Sequence, residues 1–184
     1  MNVYDFDKTI YNGDSTLDFY FFMLKKYPSS VFLLPKQISG FLKYKKDKIS
    51  KTHFKEIFFS FLKKSSDINR DVTEFWDKNE HKIKDWYLRQ QKHDDIIISA
   101  SPEFLLNEIC RRISIENLIA SEVEPETGVF LSENCYGKIK TERLKNSFPD
   151  AEIKEFYSDS RSDEPMAKLA QRAFLVKNND IKKW

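Results

Sequence analysis

Two aspartates that follow the first apolar stretch of the chain are its strongest candidates for chemistry. Asp5 and Asp7 come directly after Val3 and Tyr4, a segment typical of a β-strand. Alternate residues of a strand share a face, so both carboxylates would project together if the strand continues that far. Paired carboxylates repel each other without a cation, and an oxygen-only ligand set favours Mg²⁺. The alternatives are a solvated turn or a Ca²⁺ loop, but an EF-hand loop needs glycine at its sixth position, here Ile10.

Two serines mark the end of a second apolar run. Ser99 and Ser101 follow three consecutive isoleucines, a composition typical of a strand buried on both faces. Pro102 suits the first position of a helix. Hydroxyl groups between a strand and a helix start can donate hydrogen bonds to phosphate, and Ser99 on the strand side is the better candidate. Ser101 has the alternative of capping the helix.

Two further segments carry candidate site residues, a pair of lysines in one and a pair of acids in the other. Lys138 and Lys140 follow Gly137 at the start of a helical pattern, where a cation opposes the helix dipole and therefore suggests a use, although a surface lysine is the commoner outcome. Asp159 and Asp163 stand where a fourth apolar run ends and a helix begins. Asp163 alone would also pass as a helix cap or an acid of the first turn.

Short apolar runs that alternate with helical patterns must position these residues. The runs predict five strands, at residues 3–6, 95–99, 117–121, 155–158 and 173–176, with helices at 102–113, 138–147 and 164–171. This order predicts an α/β fold with a mostly parallel sheet. Residues 125–128 suggest a small hairpin. Residues 15–92 carry almost only helical periodicity and are predicted to form a helical cap, leaving 1–14 and 93–184 as the core domain.

Composition excludes several classes of protein. The 184 residues carry a net charge of +2, and their four glycines are too dispersed for a dinucleotide fingerprint or a P-loop. Two cysteines make neither a disulfide scaffold nor a zinc site, and the three histidines are expected on the surface. No signal segment and no apolar run of spanning length occur, so a cytoplasmic protein is expected. No nucleic-acid partner is expected either, because no recognition motif is present.

The order of the four clusters resembles that of the haloacid dehalogenase superfamily, and most of all its phosphoserine-phosphatase-like subfamily, IB. The resemblance covers essentially the whole chain. It implies a Rossmann-like core and a helical cap of the C1 type inserted after the first strand. It also implies a Mg²⁺-dependent phosphatase that works through an aspartyl-phosphate.

The roles of the residues follow from this resemblance. Asp5 corresponds to the nucleophile and Asp7 to the general acid/base, whose backbone carbonyl also binds Mg²⁺. Lys140 corresponds to the charge-stabilising lysine, with Lys138 as the fallback. The remaining correspondences are Thr9 and Ser99, with Lys140, as phosphate-binding groups, and Asp5, Asp159 and Asp163 as metal ligands, the last directly or through water.

Two alternatives share these motifs. A phosphotransferase would pass the phosphoryl group to an acceptor hydroxyl, and a non-catalytic module would only bind a phosphorylated ligand. The presence of Asp5, Asp7, Lys140 and Asp159 together favours an enzyme over the binding module.

The substrate is expected to be a small or lipid phosphomonoester. Phosphoserine is disfavoured, because Asp14 stands where phosphoserine phosphatases carry glutamate, and no arginine lies between Asp14 and Arg70. Two stretches, 134–140 and 157–165, resemble those of bacterial phosphatidylglycerophosphatases of the C type, which also carry aspartate at the position of Asp14.

The cap segment is strongly basic and aromatic. Residues 25–64 hold eleven lysines and two acids, a net charge of +9, and residues 19–61 hold nine of the 16 phenylalanines. This composition suits peripheral contact with an anionic membrane surface, at the inner face of the membrane. The alternative is a cap whose phenylalanines form its core and whose lysines are merely solvated.

Overall fold

The computed structural model describes residues 1–184, and its centre is a six-stranded sheet. The strands are β1 (Asn2–Tyr4), β2 (Ile96–Pro102), β3 (Asn117–Ser121), β4 (Glu155–Ser158), β5 (Arg172–Lys177) and β6 (Asp180–Lys183). Their order is β3-β2-β1-β4-β5-β6, with β1 to β5 parallel and β6 antiparallel to β5. In this order β1 lies near the centre of the sheet, between β2 and β4, and the carboxyl ends of these three parallel strands meet at one edge.

The predicted α/β class and mostly parallel sheet are confirmed, but the strand count of five is one too low. All four residues of β6 are exposed, so this edge strand lacks the apolar signal that marks the others. Asn178, at a φ of 55°, makes the tight turn between β5 and β6. The expected strand 3–6 ends at Tyr4, although the Asp5 amide still donates to the Tyr157 carbonyl of β4.

Helical elements fill residues 15–90. The α-helices there are α1 (Ser15–Lys26), α2 (Leu34–Lys45), α3 (Lys51–Phe59), α4 (Ile68–Asn79) and α5 (Asp85–Gln90). Short 3-10 helices, Pro28–Leu33, Ser60–Lys64 and Glu80–Lys82, connect them. Asp14, Ser50 and Asp67 cap α1, α3 and α4 through their side chains, so local sequence sets where these helices begin.

The second half of the chain carries α6 (Glu103–Arg112), α7 (Lys138–Ser147) and α8 (Glu164–Ala167). The helix expected over 164–171 is shorter than predicted, because i to i+3 hydrogen bonds tighten the chain after Ala167. The expected hairpin at 125–128 is a turn closed by a single antiparallel bridge between Val123 and Phe130.

Two hydrophobic clusters cover the two faces of the sheet. The larger joins Tyr4 and Ile97 to side chains of α1, α4, α5 and α6, whereas the smaller joins Val3 and Phe156 to α7 and α8. Part of the segment 15–92 therefore packs directly on the core domain. The Trp76 side chain of α4, for example, donates a hydrogen bond to the Leu105 carbonyl of α6. Every helix is too short or too polar to cross a bilayer.

Candidate active site

A buried lysine joins two aspartates at the carboxyl edge of the sheet. The Lys140 Nζ lies 2.7 Å from an Asp5 oxygen and 2.8 Å from an Asp163 oxygen. The Thr9 hydroxyl donates to the second Asp5 oxygen at 3.3 Å. The Ser158 hydroxyl donates to Asp163 at 2.9 Å. All five side chains are buried, so each contact forms in a medium that strengthens it.

Helix geometry decides between the two candidate lysines. Residues two apart on an α-helix point about 200° apart, so Lys138 and Lys140 cannot both face the sheet. Lys140 is 2% exposed, whereas Lys138 lies on the solvent side. Gly137 precedes the helix with a φ of 57°, a conformation that suits glycine. The structure thus places Lys140, and not Lys138, among the carboxylates.

Asp7 is held by two donors from different parts of the chain. One of its oxygens accepts from the Ser15 backbone amide at 2.6 Å, and the other accepts from the Ser101 hydroxyl at 2.5 Å. The suggestion that Ser101 caps α6 is wrong: the N-cap position belongs to Pro102, and no side chain caps that end. Ser101 lies inside β2, which runs further than expected.

One cavity of about 180 Å³ brings the predicted site residues together. Its walls include Asp5, Asp7, Ser99, Lys140, Asp159 and Asp163, together with Lys8 and Tyr136. The Ser99 hydroxyl oxygen accepts from the Ser101 amide at 3.1 Å, which leaves its own proton free to donate into the cavity. Thr9 contacts Asp5 from below and does not line the cavity.

Burial perturbs the acids of this cavity. It raises the pKa of Asp5 to about 7, although the Lys140 charge acts in the opposite direction. It raises the pKa of Asp7 to about 6 and also raises that of Asp159. For Lys140, burial acts to lower the pKa, but the charges of Asp5 and Asp163 outweigh it and raise the pKa above its ordinary value. Raised pKa values of several acids in one cavity indicate that an added positive charge would be stabilised there.

The donor set fits Mg²⁺. Asp5 and Asp159 offer hard carboxylate oxygens to one small cavity, and the backbone at Asp7 runs along the same wall. No three acidic, histidine or cysteine side chains converge on one point, so the protein forms no complete cage of side chains. Mg²⁺ commonly retains several waters and binds through only one or two carboxylates, which matches this arrangement.

A second buried lysine, Lys84, secures the loop that carries both aspartates. Its Nζ donates to the Lys8 carbonyl at 2.7 Å and to the Asn178 carbonyl at 2.5 Å. Its backbone amide donates to the Ile10 carbonyl at 2.8 Å. Lys8 has a φ of 59°, a conformation that non-glycine residues seldom adopt, so the loop needs such support. No local sequence pattern marks Lys84, because the partners of its side chain lie 76 and 94 residues away.

A more apolar cavity of about 250 Å³ adjoins the first. It shares Asp7 and Ala100 with the first cavity, and its walls add Asp14, Thr16, Leu17, Phe54, Lys55, Phe58, Phe59 and Ser101. Asp14, which stands where phosphoserine phosphatases carry glutamate, lines this second cavity. Its side chain also caps α1 and accepts from the Leu17 amide at 3.0 Å.

Helix α3 crosses the site with two lysines that sequence analysis did not single out. The Lys55 Nζ donates to the Ala100 carbonyl at 2.8 Å and to the Asn134 side-chain oxygen at 2.7 Å. The Lys51 Nζ lies 3.2 Å from the centre of the Tyr136 ring. The Ser121 hydroxyl lies 3.1 Å from both acceptors of Lys55 and can donate its one proton to either of them. Lysine spacing alone could not reveal these contacts, since the segment contains eleven lysines.

Lys55 gives the protein a specific dependence on pH. Burial, with a smaller contribution from the neighbouring Lys51 charge, lowers the pKa of Lys55 to about 8, although Asp7, Asp14 and Cys135 act to raise it. The unfolded chain therefore binds more protons than the folded chain between pH 8 and about 10.5. The contribution of Lys55 is unfavourable below pH 8, and stability rises with pH through that interval.

We expect Lys55→Met to remove this rise. The free energy of unfolding should increase by about 2 kcal/mol less in the variant than in the wild type between pH 7.5 and 10. The Ser121 hydroxyl lies 3.1 Å from both vacated acceptors and can give its one proton to either, so at most one acceptor loses its partner and the variant should fold. Urea denaturation over this pH range measures the effect, and an equal rise in both proteins would contradict it. Lys43→Met, at an exposed site, is the matched control.

A parallel sheet with acids, a hydroxyl and a buried lysine at its carboxyl edge defines a Rossmann-like α/β enzyme. The family is settled by a sequence model, that of the haloacid dehalogenase-like hydrolases, which matches residues 3–168. The chain belongs to this family. The resemblance drawn from the motifs is thereby confirmed, as is the expectation of a hydrolase.

Solved structures share the fold at low sequence identity. A protein of unknown function from Bordetella pertussis Tohama I matches with a TM-score of 0.77 and 17% identity over 94% of this chain and 87% of that chain. A phosphoserine phosphohydrolase-like protein from Francisella tularensis matches at 0.56 and 18% over 94% and 86%. A probable phosphoserine phosphatase from Vibrio cholerae matches at 0.61 and 11% over 94% and 55%. No curated protein sequence matches this chain.

Proposed function

We propose that the protein is a Mg²⁺-dependent phosphomonoester phosphatase that works through an aspartyl-phosphate on Asp5. The observation that carries this proposal is the buried Lys140, held between Asp5 and Asp163 at the wall of a cavity of about 180 Å³, which is large enough to admit a phosphate group. A cation in that place offsets the repulsion between a carboxylate nucleophile and a phosphate dianion. Family membership supports the same activity.

In the first half of the reaction an Asp5 oxygen attacks phosphorus in line, and the bond from phosphorus to the leaving oxygen breaks. Lys140 and the Ser99 hydroxyl stabilise the charge on the phosphoryl oxygens. Protonated Asp7 gives its proton to the leaving oxygen, so the product departs as an alcohol. Ser101 and the Ser15 amide keep the Asp7 carboxyl in place between the two cavities.

In the second half Asp7 accepts a proton from water while the water oxygen attacks the phosphoryl group. The bond between phosphorus and Asp5 breaks, which releases inorganic phosphate and restores both carboxyls. Asp5, Asp159 and the Asp7 carbonyl would hold Mg²⁺, with Asp163 reaching it directly or through water. When bound, the ion would neutralise charge on phosphate oxygens and on Asp5. Asp163 also orients Lys140.

Removal of the metal tests the donor set. Full-length protein dialysed against EDTA should lose at least about 100-fold of its activity on p-nitrophenyl phosphate, since the charge that opposes the phosphate dianion is lost. Mg²⁺ added in excess should restore it, and Ca²⁺ should not, because its larger shell suits the small cavity poorly. Undiminished turnover in EDTA would exclude the proposed metal role.

The apolar second cavity favours an alcohol with an apolar portion, as in a lipid phosphate. Asp7 lies on the wall between the cavities, so the leaving group would occupy the space beside Leu17, Phe54 and Phe58. A small polar alcohol such as serine would leave this surface unfilled. A panel of phosphoserine, sugar phosphates and phosphatidylglycerophosphate ranks these classes by kcat/KM, and a preference for phosphoserine would reject the lipid hypothesis.

The same panel separates the alternatives to a phosphatase. Release of inorganic phosphate in water without an acceptor distinguishes hydrolysis from phosphotransfer. Phosphate binding without release from any ester would support a non-catalytic phospholigand module. For the cell, we propose a cytoplasmic location with peripheral contact at the inner face of the membrane, and fractionation of intact cells tests it.

A further inference from the structure

One helix of the cap has its apolar face turned outward. Only Gln37 and Gly40 of α2 are buried. Gln37 donates to the Phe58 carbonyl and accepts from the Tyr20 hydroxyl, and Gly40 packs against Ile57, where an added Cβ would lie 3.0 Å from the side chain. The fully buried positions of α2 are therefore polar or small, and its apolar residues Leu34 and Tyr44 are only half-buried, whereas an ordinary surface helix buries its large apolar side chains.

The outward side forms what we call the apolar face, made of Val31, Phe32, Ile38, Phe41 and Leu42. All five side chains are exposed, Phe32 at 84% and Ile38 at 56%. Several large apolar side chains exposed within one short segment are unfavourable in water and commonly mark an interaction surface.

Lysines surround this face with little opposing charge. Residues 28–48 hold Lys36, Lys43, Lys45, Lys46 and Lys48, all exposed, and a single acid, Asp47. A second copy of the chain would bring two such lysine sets together, and their repulsion opposes self-association. A bilayer with anionic headgroups complements both parts of the surface, with lysines at the headgroups and apolar side chains at the acyl boundary.

We propose that the apolar face and its lysines dock the protein peripherally on anionic membranes. Docking would also align the site with the bilayer, because Phe41 contacts Phe54 at 5.6 Å between ring centres, and Phe54 lines the apolar cavity beside Asp7. The docking itself does not depend on the catalytic proposal. The further idea that a lipid substrate enters the apolar cavity from the docked membrane rests on the proposed function.

Vesicle co-sedimentation of the full chain tests the docking. Wild-type protein should bind vesicles of phosphatidylcholine with phosphatidylglycerol, should bind phosphatidylcholine alone at least about 10-fold less, and should release with rising salt. Phe32→Ser/Ile38→Ser should reduce binding to the anionic vesicles at least about 10-fold. Leu131→Ser/Leu88→Ser, at exposed apolar positions elsewhere, should not.

Charge reversal provides the second, independent variant. Lys43→Glu/Lys46→Glu should reduce binding at least about 10-fold, since each lysine near an anionic surface contributes about five-fold. Lys145→Glu/Lys154→Glu, at exposed positions in α7 and directly before β4, should leave binding within about two-fold of the wild type. All four variants should keep wild-type hydrolysis of p-nitrophenyl phosphate, so a failure of docking is separable from a failure of catalysis.

Three outcomes would overturn the proposal. These are wild-type protein that stays in the supernatant with anionic vesicles, binding that is equal on neutral vesicles, and binding that persists in Phe32→Ser/Ile38→Ser. Dimerisation that this variant abolishes, without vesicle binding, would assign the face to a second copy of the chain.

Discussion

The Asp5→Asn variant should retain its fold and lose at least about 10⁴-fold of its phosphatase activity. The amide has the shape of the carboxyl but cannot act as a nucleophile, so the phosphoryl group has no acceptor at this position. Lys140 keeps its 2.8 Å partner Asp163, so the buried lysine remains paired. Steady-state release of inorganic phosphate from p-nitrophenyl phosphate measures the loss.

A covalent label distinguishes loss of the nucleophile from a general disturbance. Wild-type protein quenched in acid during turnover should carry one phosphoryl group on the peptide that contains Asp5, and the variant should carry none. Asp150→Asn, at an exposed position, is the matched control and should behave as the wild type in both assays. Substantial turnover in purified Asp5→Asn would falsify the assignment of the nucleophile.

The Lys140→Met variant should lose both activity and stability. Loss of one preorganised positive group beside the phosphoryl oxygens lowers kcat by about 10²- to 10³-fold. Removal of one member of a buried ionic cluster also leaves Asp5 and Asp163 without their cation, which costs about 3 to 5 kcal/mol of unfolding free energy. Urea denaturation at neutral pH measures the second effect.

Lys138→Met provides the control because it removes the same charge two residues away on the same helix. Its side chain is exposed, so kcat should change by less than about two-fold and stability by less than about 0.5 kcal/mol. If the two variants were equally impaired, the assignment of the site lysine to position 140 would be wrong.

Sequence patterns predicted the elements that carry their own periodic signal. The strands β3, β4 and β5 and the helix α7 lie within one residue of their expected bounds, because apolar runs and helical spacing are local properties. Asp5, Asp7, Ser99 and Lys140 meet at one cavity because the two aspartates follow β1, Ser99 lies within the neighbouring β2, and Lys140 lies in the first turn of α7. Lys138 and Lys140 point to different sides of α7, so the position of this helix on the sheet decides which of the two lysines reaches the site.

The missed features depend on contacts between distant residues. Lys55 and Lys84 act through acceptors that lie 45 to 94 residues away, which no local pattern encodes. The role of Ser101 at Asp7 required the true length of β2. Both α3 and α4 are amphipathic, yet α3 crosses the site while α4 packs beside α6. Periodicity shows that a helix has an apolar face but not what that face meets.

The Lys84 bridge has a consequence for the order of folding. Its three hydrogen bonds join the loop after β1, the entry to α5 and the turn after β5, so they close circuits of 76 and 94 residues. Contacts of such high sequence separation form late, after the local helices. A nascent chain that has emerged only as far as α6 therefore carries Asp5 and Asp7 on a loop that lacks the Asn178 contact, Lys140 and β4. Catalytic competence should appear in a single late step of synthesis, when β4 and β5 add to the free side of β1.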